Sequence, residues 1–391
     1  MGFSSVDDMI AELTAGKREL TPWTKITTAG TTYVAGTWYD FSTQAGSPAA
    51  NTYIGTTLVA QTPTDRGSGY GLWHGGPVSP DTKHIVNLGG WSSIATAVPS
   101  LVMLVDLLMY YPSLNNMITT AQTLVNSNTF TGSSSSGLLL TYTNDFGVAT
   151  TQPYTSVRFS NSGGALPTGL NNTDTFWLVR VSATTARVAT SLANAIAGTV
   201  VAYTDGGTGT HTLTVRPSRY ADGAGVRMAN IMVSTSGSAP SATPVVDAAN
   251  FQYTNQAGIS GRVLGAVTNY TAGAAAAAYA GKIAHSGVAA GNFAPFMPLQ
   301  AGDYGVQSVQ TYRLSTAYAT ATTMVSALAL VRPLMTIPIV TAGVAGERNA
   351  VYQLPALPRI YDDACIIPLF YAGAATAASS PVQGYADFAW G

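Results

Sequence analysis

The sequence predicts a mostly β protein: a β-sandwich or barrel-like main domain with a short N-terminal helix and an inserted small β-domain. Three observations predict it. Short Thr-, Val- and Tyr-rich runs alternate with Gly, Pro, Asn and Asp, which is strand and turn chemistry. Segments of helical character are few and short. A Gly/Ser/Thr-rich stretch at 129–137 and a change of style near Arg216, Pro217 and Arg219 set one segment apart from the rest.

Residues 5–15 are expected to form the helix. Ser5 caps it, Asp7 and Asp8 suit its positive first turn, Met9, Ile10 and Leu13 make an apolar stripe, and Gly16 ends it. Strands are expected over 31–41, 53–61, 84–88, 138–142 and 176–181. A second short helix fits 191–197. The alanine run 274–278 has high helix propensity but is short, with Gly273 and Gly281 close by, and is not assigned as a helix. Turns at Asn161-Ser162-Gly163-Gly164, Asn171-Asn172 and Asp205-Gly206-Gly207 divide the inserted segment. The expected organisation is a discontinuous main domain, 1–129 and 218–391, interrupted by a β-module at 130–217. Such an insertion is tolerated at an exposed loop tip with closely spaced ends. Residues 385–391 alternate as a final strand. Its Phe388 and Trp390 are the candidate subunit-interface residues, docked either into a neighbour or into the chain's own core.

Charged residues make up 9% of the 391, against roughly 25% in an ordinary soluble domain. Lys and Arg number 17 and Asp and Glu 18, for a net charge of −1. This excludes the clustered basic footprint of a nucleic-acid or anionic-membrane binder. A near-neutral surface has little self-repulsion, so much of it is expected to be covered in an assembly. The single cysteine, Cys365, excludes an internal disulfide and a cysteine-based zinc site; its apolar neighbours mark it as buried and inert. Residues 1–20 contain no apolar signal core, so synthesis without Sec export is expected. The most apolar run, 100–111, lies between Pro99 and Pro112, contains Asp106 and is too short to span a bilayer.

No chemistry-bearing motif emerges. There is no G-x-S-x-G elbow, and His74, His84, His211 and His285 sit in no recognisable catalytic context. His74, Asp81 and His84 are of zinc-ligand type, but their spacing and the glycines and prolines around them mark a structural loop. Gly281-Lys282 lacks a P-loop's first glycine, since Ala276 stands there, and Gly67, Gly69 and Gly71 merely alternate. Asn171 and Asn269 match glycosylation acceptors in form alone. Asp362 and Asp363, as neighbours on a strand, would point to opposite faces and are poorly placed to act on one substrate atom. No catalytic residue, metal or cofactor is therefore assigned, and the chain is expected not to be an enzyme. Twenty tyrosines and six tryptophans serve either subunit packing or a glycan platform.

Two stretches carry a resemblance. Residues 157–213, with LPTGL (166–170), ATSLANAIAG (189–198) and GTGTH (207–211), resemble a small β-module that recurs in tail, fibre and head proteins of tailed bacteriophages. The flanks include HGGPVSPDTKHI (74–85), VPSLVMLVDLL (98–108), RYADGAGVRM (219–228), ERNAVYQLPALPRIYDDAC (347–365) and FYAGAATAASSPVQGYADFAWG (370–391). They, with residues 286–309, resemble a family of phage structural proteins associated with head genes. Shorter relatives run from a segment like that at Leu124 straight to the one at Arg219, as an insertion requires. The resemblance implies a virion structural protein on the outer surface of the head, made in the host cytoplasm. The first expectation is a head decoration (cement) or minor capsid protein that bridges capsomers. Its expected partners are the major capsid protein, further copies of itself as a homotrimer, and host-surface glycans met by the inserted module. A tail or fibre receptor-binding protein is the alternative, and the major capsid protein a lower one.

Overall fold

The computed structural model describes residues 2–53, 55, 58–63, 71–133, 139–142, 154–237, 245–265, 280–284, 294–319 and 321–391. The alanine run 274–278, His285, the Asn269 acceptor, Gly67 and Gly69 lie outside the described residues.

Two antiparallel sheets face each other. The first has five strands in the order Arg227–Gly237, Ala321–Ile339, Ser100–Asn115, Ile366–Ala372 and Thr37–Asp40. The second runs Gly346–Asn349, Lys83–Trp91, Pro381–Trp390, Arg18–Ile26 and Gly46–Ser47, with Arg359–Ile360 also paired to Lys83–Trp91. Side chains from both fill the space between: Val102, Leu104, Ile337, Ile366 and Phe370 from one, Trp23, Ile85, Leu88, Val382 and Phe388 from the other. This is the β-sandwich of the main body, and its core follows from the period-2 alternation of buried positions.

The apolar run 100–111 is the middle strand of the first sheet, which is why it carries so few polar residues. Val102 and Leu104 face the sandwich core, while Val105 and Leu107 face a second cluster on the far side with Trp38, Ile231 and Leu369. A bulge then intervenes. Met109 pairs with Leu330 and Leu107 with Val331, so Leu108 is an extra residue. Beyond it the parity reverses: Met109 and Tyr111 join Leu108 on one side and Tyr110 takes the other.

Six further strands, Ser127–Ser133, Leu139–Tyr142, Tyr154–Ser162, Phe176–Arg180, Thr185–Ala189 and Thr210–Val215, close into a barrel. They are contiguous in sequence and, among the described residues, pair only with one another. Phe130, Leu140, Val157, Phe159, Phe176 and Leu213 fill the interior. Leu108, Met109, Tyr111 and Leu114 of the sandwich belong to the same continuous cluster. The barrel is thus packed onto the body by shared apolar surface.

The N-terminal helix spans Val6–Thr14; Ser5 Oγ accepts the Asp8 N–H at 3.0 Å, and Met9 packs against Val86 and Ala389. The second helix, Leu192–Ala197, is capped by Ser191, which accepts the Asn194 N–H at 3.1 Å, and ends at Gly198 with φ +74°. A single helical turn, Ala350–Gln353, capped by Asn349, was not expected from the sequence. Two strand expectations shrink. Of 31–41 only Thr37–Asp40 is a strand, and 53–61 contributes only bridges at Val59 and Gln61 among the described residues.

Candidate functional site

Several of the residues singled out in the sequence, among them His74, Asp362, Asp363, Phe388 and Trp390, lie at one corner of the body or in the cleft between it and the barrel. Strand pairing sets Trp390 opposite Lys83 and places Phe388 opposite Ile85. The buried Lys83 ammonium donates to His74 Nδ1 at 2.9 Å and to the Gly76 carbonyl, and lies 5.7 Å from the Trp390 ring. An ammonium only donates, so Nδ1 of His74 accepts and Nε2 carries the proton, directed at the Ala364 carbonyl 3.3 Å away. Burial, reinforced by the Lys83 charge, pushes the His74 pKa down to about 3. The imidazole is therefore neutral and structural.

Phe388 is fully buried in the sandwich core, edge-on to His74 at 6.2 Å. Trp390 is half-buried with Gly75 against its ring. Trp390 remains partly exposed, whereas Phe388 is spent on the chain's own core. The other histidine-loop residues part company. Asp81 pairs with Lys17 at 2.9 Å, and His84 packs on Phe3 with ring centroids 5.9 Å apart. Among the described residues no three His, Cys, Asp or Glu side chains converge as a metal site, and no helix is long and apolar enough to cross a membrane.

Asp362 and Asp363 correct an expectation. They lie in a turn between Arg359–Ile360 and Ile366–Ala372, not on a strand, so alternation does not separate them. Both line one cleft of about 360 Å³, with Pro77 and Ser79 of the body and Thr175, Trp177 and Leu192 of the barrel. Each carboxylate is already engaged. Asp362 accepts the Val78 N–H at 3.0 Å; Asp363 accepts the Ser218 hydroxyl and lies 3.5 Å from Arg219. Arg219 is itself buried and bidentate to Asp106, with both bonds at 2.6 Å, and it also donates to the Leu107 carbonyl at 3.0 Å. Burial opposes its charge, but Asp106 and Asp363 outweigh that and hold the guanidinium above its ordinary pKa. The Cys365 N–H donates to Asp106 Oδ1 at 3.0 Å. This ionic cluster rivets the segment leaving the barrel onto the middle strand of the sandwich.

Sequence reasoning missed Lys83 and Arg219. The available signal was Asp106, a lone carboxylate inside an apolar strand, because a buried charge demands a partner. On the barrel itself, a pocket of about 690 Å³ is lined by Thr129, Thr131, Thr141, Thr208, Thr210 and His211. His211 Nε2 faces the Gly206 carbonyl at 3.0 Å.

A scan against protein-family models finds no match, and a search of curated proteins finds none. Among solved structures, the crystal structure of the infectious bursal disease virus VP2 subviral particle aligns over 95% of this chain and 80% of that one, at 10% identity and a TM-score of 0.15. The structure of infectious bursal disease virus Gt strain aligns over 96% and 81%, at 10% identity and a TM-score of 0.13. At such scores the likeness establishes neither fold nor function.

Proposed function

We propose that the chain is a bacteriophage virion structural protein, in the first place a head decoration (cement) or minor capsid protein. The observation that carries this reading is the exterior: charged residues are 9% of the chain, while Tyr352, Val340 and Trp73 stand 78%, 67% and 48% exposed. A surface of hydroxyls, amides and scattered apolar groups gains by being covered, and it resists association poorly. The resemblance of both parts of the chain to phage structural proteins supports the same reading. Such a subunit, on the outer surface of the head, bridges capsomers of the major capsid protein through several weak contacts whose combined avidity is large. Homotrimers suit three-fold lattice positions. No catalytic step, metal or cofactor enters the proposal.

The alternative, a tail or fibre receptor-binding protein, is favoured by the hydroxyl-lined pocket on the barrel, which suits a neutral glycan. The major capsid protein is the lower alternative. The copy number of the chain in purified virions, relative to the most abundant shell protein, separates them. A ratio of one to a small integer supports the head lattice, and a few copies per particle supports the tail. Absence from particles overturns the structural reading.

A further inference from the structure

Among the described residues, the outer wall of the barrel holds two arginines without a counter-charge. Arg158, on Tyr154–Ser162, pairs directly with Thr214 on Thr210–Val215. Arg216 follows that strand, its N–H donating to the Ser156 carbonyl at 3.2 Å. The register makes the two arginines diagonal neighbours on one face, within reach of each other's long side chains. Both are half-buried. Among the described residues neither forms an ion pair. Arg158 Nε is buried with no hydrogen-bond partner. Burial, with the Arg158 charge added, holds the Arg216 pKa below its usual value. Two like charges, partly desolvated and side by side, cost stability unless something negative joins them. Between them opens a pocket of about 200 Å³, lined also by Phe159, Ser160, Asn172 and Thr214.

We propose that this pocket binds an oxyanion, the phosphate, sulfate or carboxylate group of a small ligand, gripped by the guanidinium groups of Arg158 and Arg216. Guanidinium forks match such groups bidentately and remain charged at any physiological pH. Ser160, Thr214 and Asn172 supply the neutral hydrogen bonds that a charged group with attached hydroxyls would use. The pocket's size admits one charged group and its immediate framework. The proposal does not rest on the virion reading.

The test is calorimetric titration of the full chain with inorganic phosphate and, separately, with glucuronate, using glucose as the uncharged control. Saturable one-site binding of phosphate alone marks a free inorganic anion as the ligand. Binding of glucuronate in competition with phosphate marks an acidic sugar. Glucose is expected to give no heat. Arg158→Met and Arg216→Met should each weaken anion binding by about tenfold or more, the size of one lost charge-assisted contact. In anion-free buffer the same variants should melt at or above the wild-type temperature, because one of two repelling charges is gone. A merely structural pair of arginines would instead lose melting temperature on substitution. Failure of both anions to bind saturably, or equal binding by wild type and both variants, overturns the proposal.

Discussion

Replacing His74 by glutamine should make the protein less sensitive to acid. In the folded chain the imidazole is 1% exposed, held between Lys83 Nζ at 2.9 Å and the Ala364 carbonyl at 3.3 Å, and its pKa is pushed down to about 3. In the unfolded chain it titrates near the ordinary 6.5. Between these values the unfolded state binds the proton and the folded state does not. Stability is therefore fully present above pH 6.5 and drains away as pH falls towards 3. At about 1.4 kcal/mol per pKa unit, the loss from His74 alone is about 2 kcal/mol at pH 5. His74→Gln keeps a donor for Ala364 and an acceptor for Lys83 but cannot protonate. Urea denaturation of both proteins at pH 7.5 and pH 5 isolates the effect as a difference of differences, in which every other titrating group cancels. The wild type should lose about 2 kcal/mol more than the variant. If the two lose stability in parallel, His74 is not held neutral as described.

Three further outcomes are expected. Arg219→Met strands the buried Asp106 carboxylate and Asp106→Asn leaves buried Arg219 with Asp363 alone, so each should cost about 3–5 kcal/mol in urea denaturation, most of it recovered in the Asp106→Leu/Arg219→Met double variant; a null effect of either single change would show the pair to be dispensable. Phe388→Ala removes a fully buried ring and should cost about 3–5 kcal/mol by thermal melting of the isolated chain; normal melting combined with failed assembly would assign that ring to a subunit interface instead. Cys365, with no exposed surface, should react with a thiol reagent only on unfolding, and rapid labelling of the native chain would contradict its burial.

The helices were legible because their signals are local. Ser5, Asp7, Asp8 and Gly16 bracket one helix, and Ser191 and Gly198 bracket another, all within a few turns of chain. Strands such as Lys83–Trp91 and Phe176–Arg180 were legible for the same reason. Pairing was not. Nothing local marks Leu108 as the bulged residue at which the long middle strand changes which side chains face which core. Asp106 advertised a buried partner, but Arg219 lies 113 positions away, and only the fold brings them together. Asp362 and Asp363 sit in a turn between two short strands, and no glycine or proline beside them sets that turn apart from strand in the sequence. The alternation around Phe388 foretold a strand, yet not its place between Lys83–Trp91 and Arg18–Ile26 in the middle of a sheet.

That central place has a consequence for biosynthesis. Until Pro381–Trp390 has emerged from the ribosome, Lys83–Trp91 and Arg18–Ile26 have no strand between them, and Trp23, Ile85 and Leu88 lack the neighbour that covers them. The barrel needs only a contiguous stretch and can close once Val215 has emerged, 175 residues of translation before Trp390 completes the sandwich. Nascent chains should therefore carry a finished barrel on an open, sticky body. A truncation that spares the barrel but removes the last strand would be expected to aggregate through that body, and holding chaperones would find their substrate there.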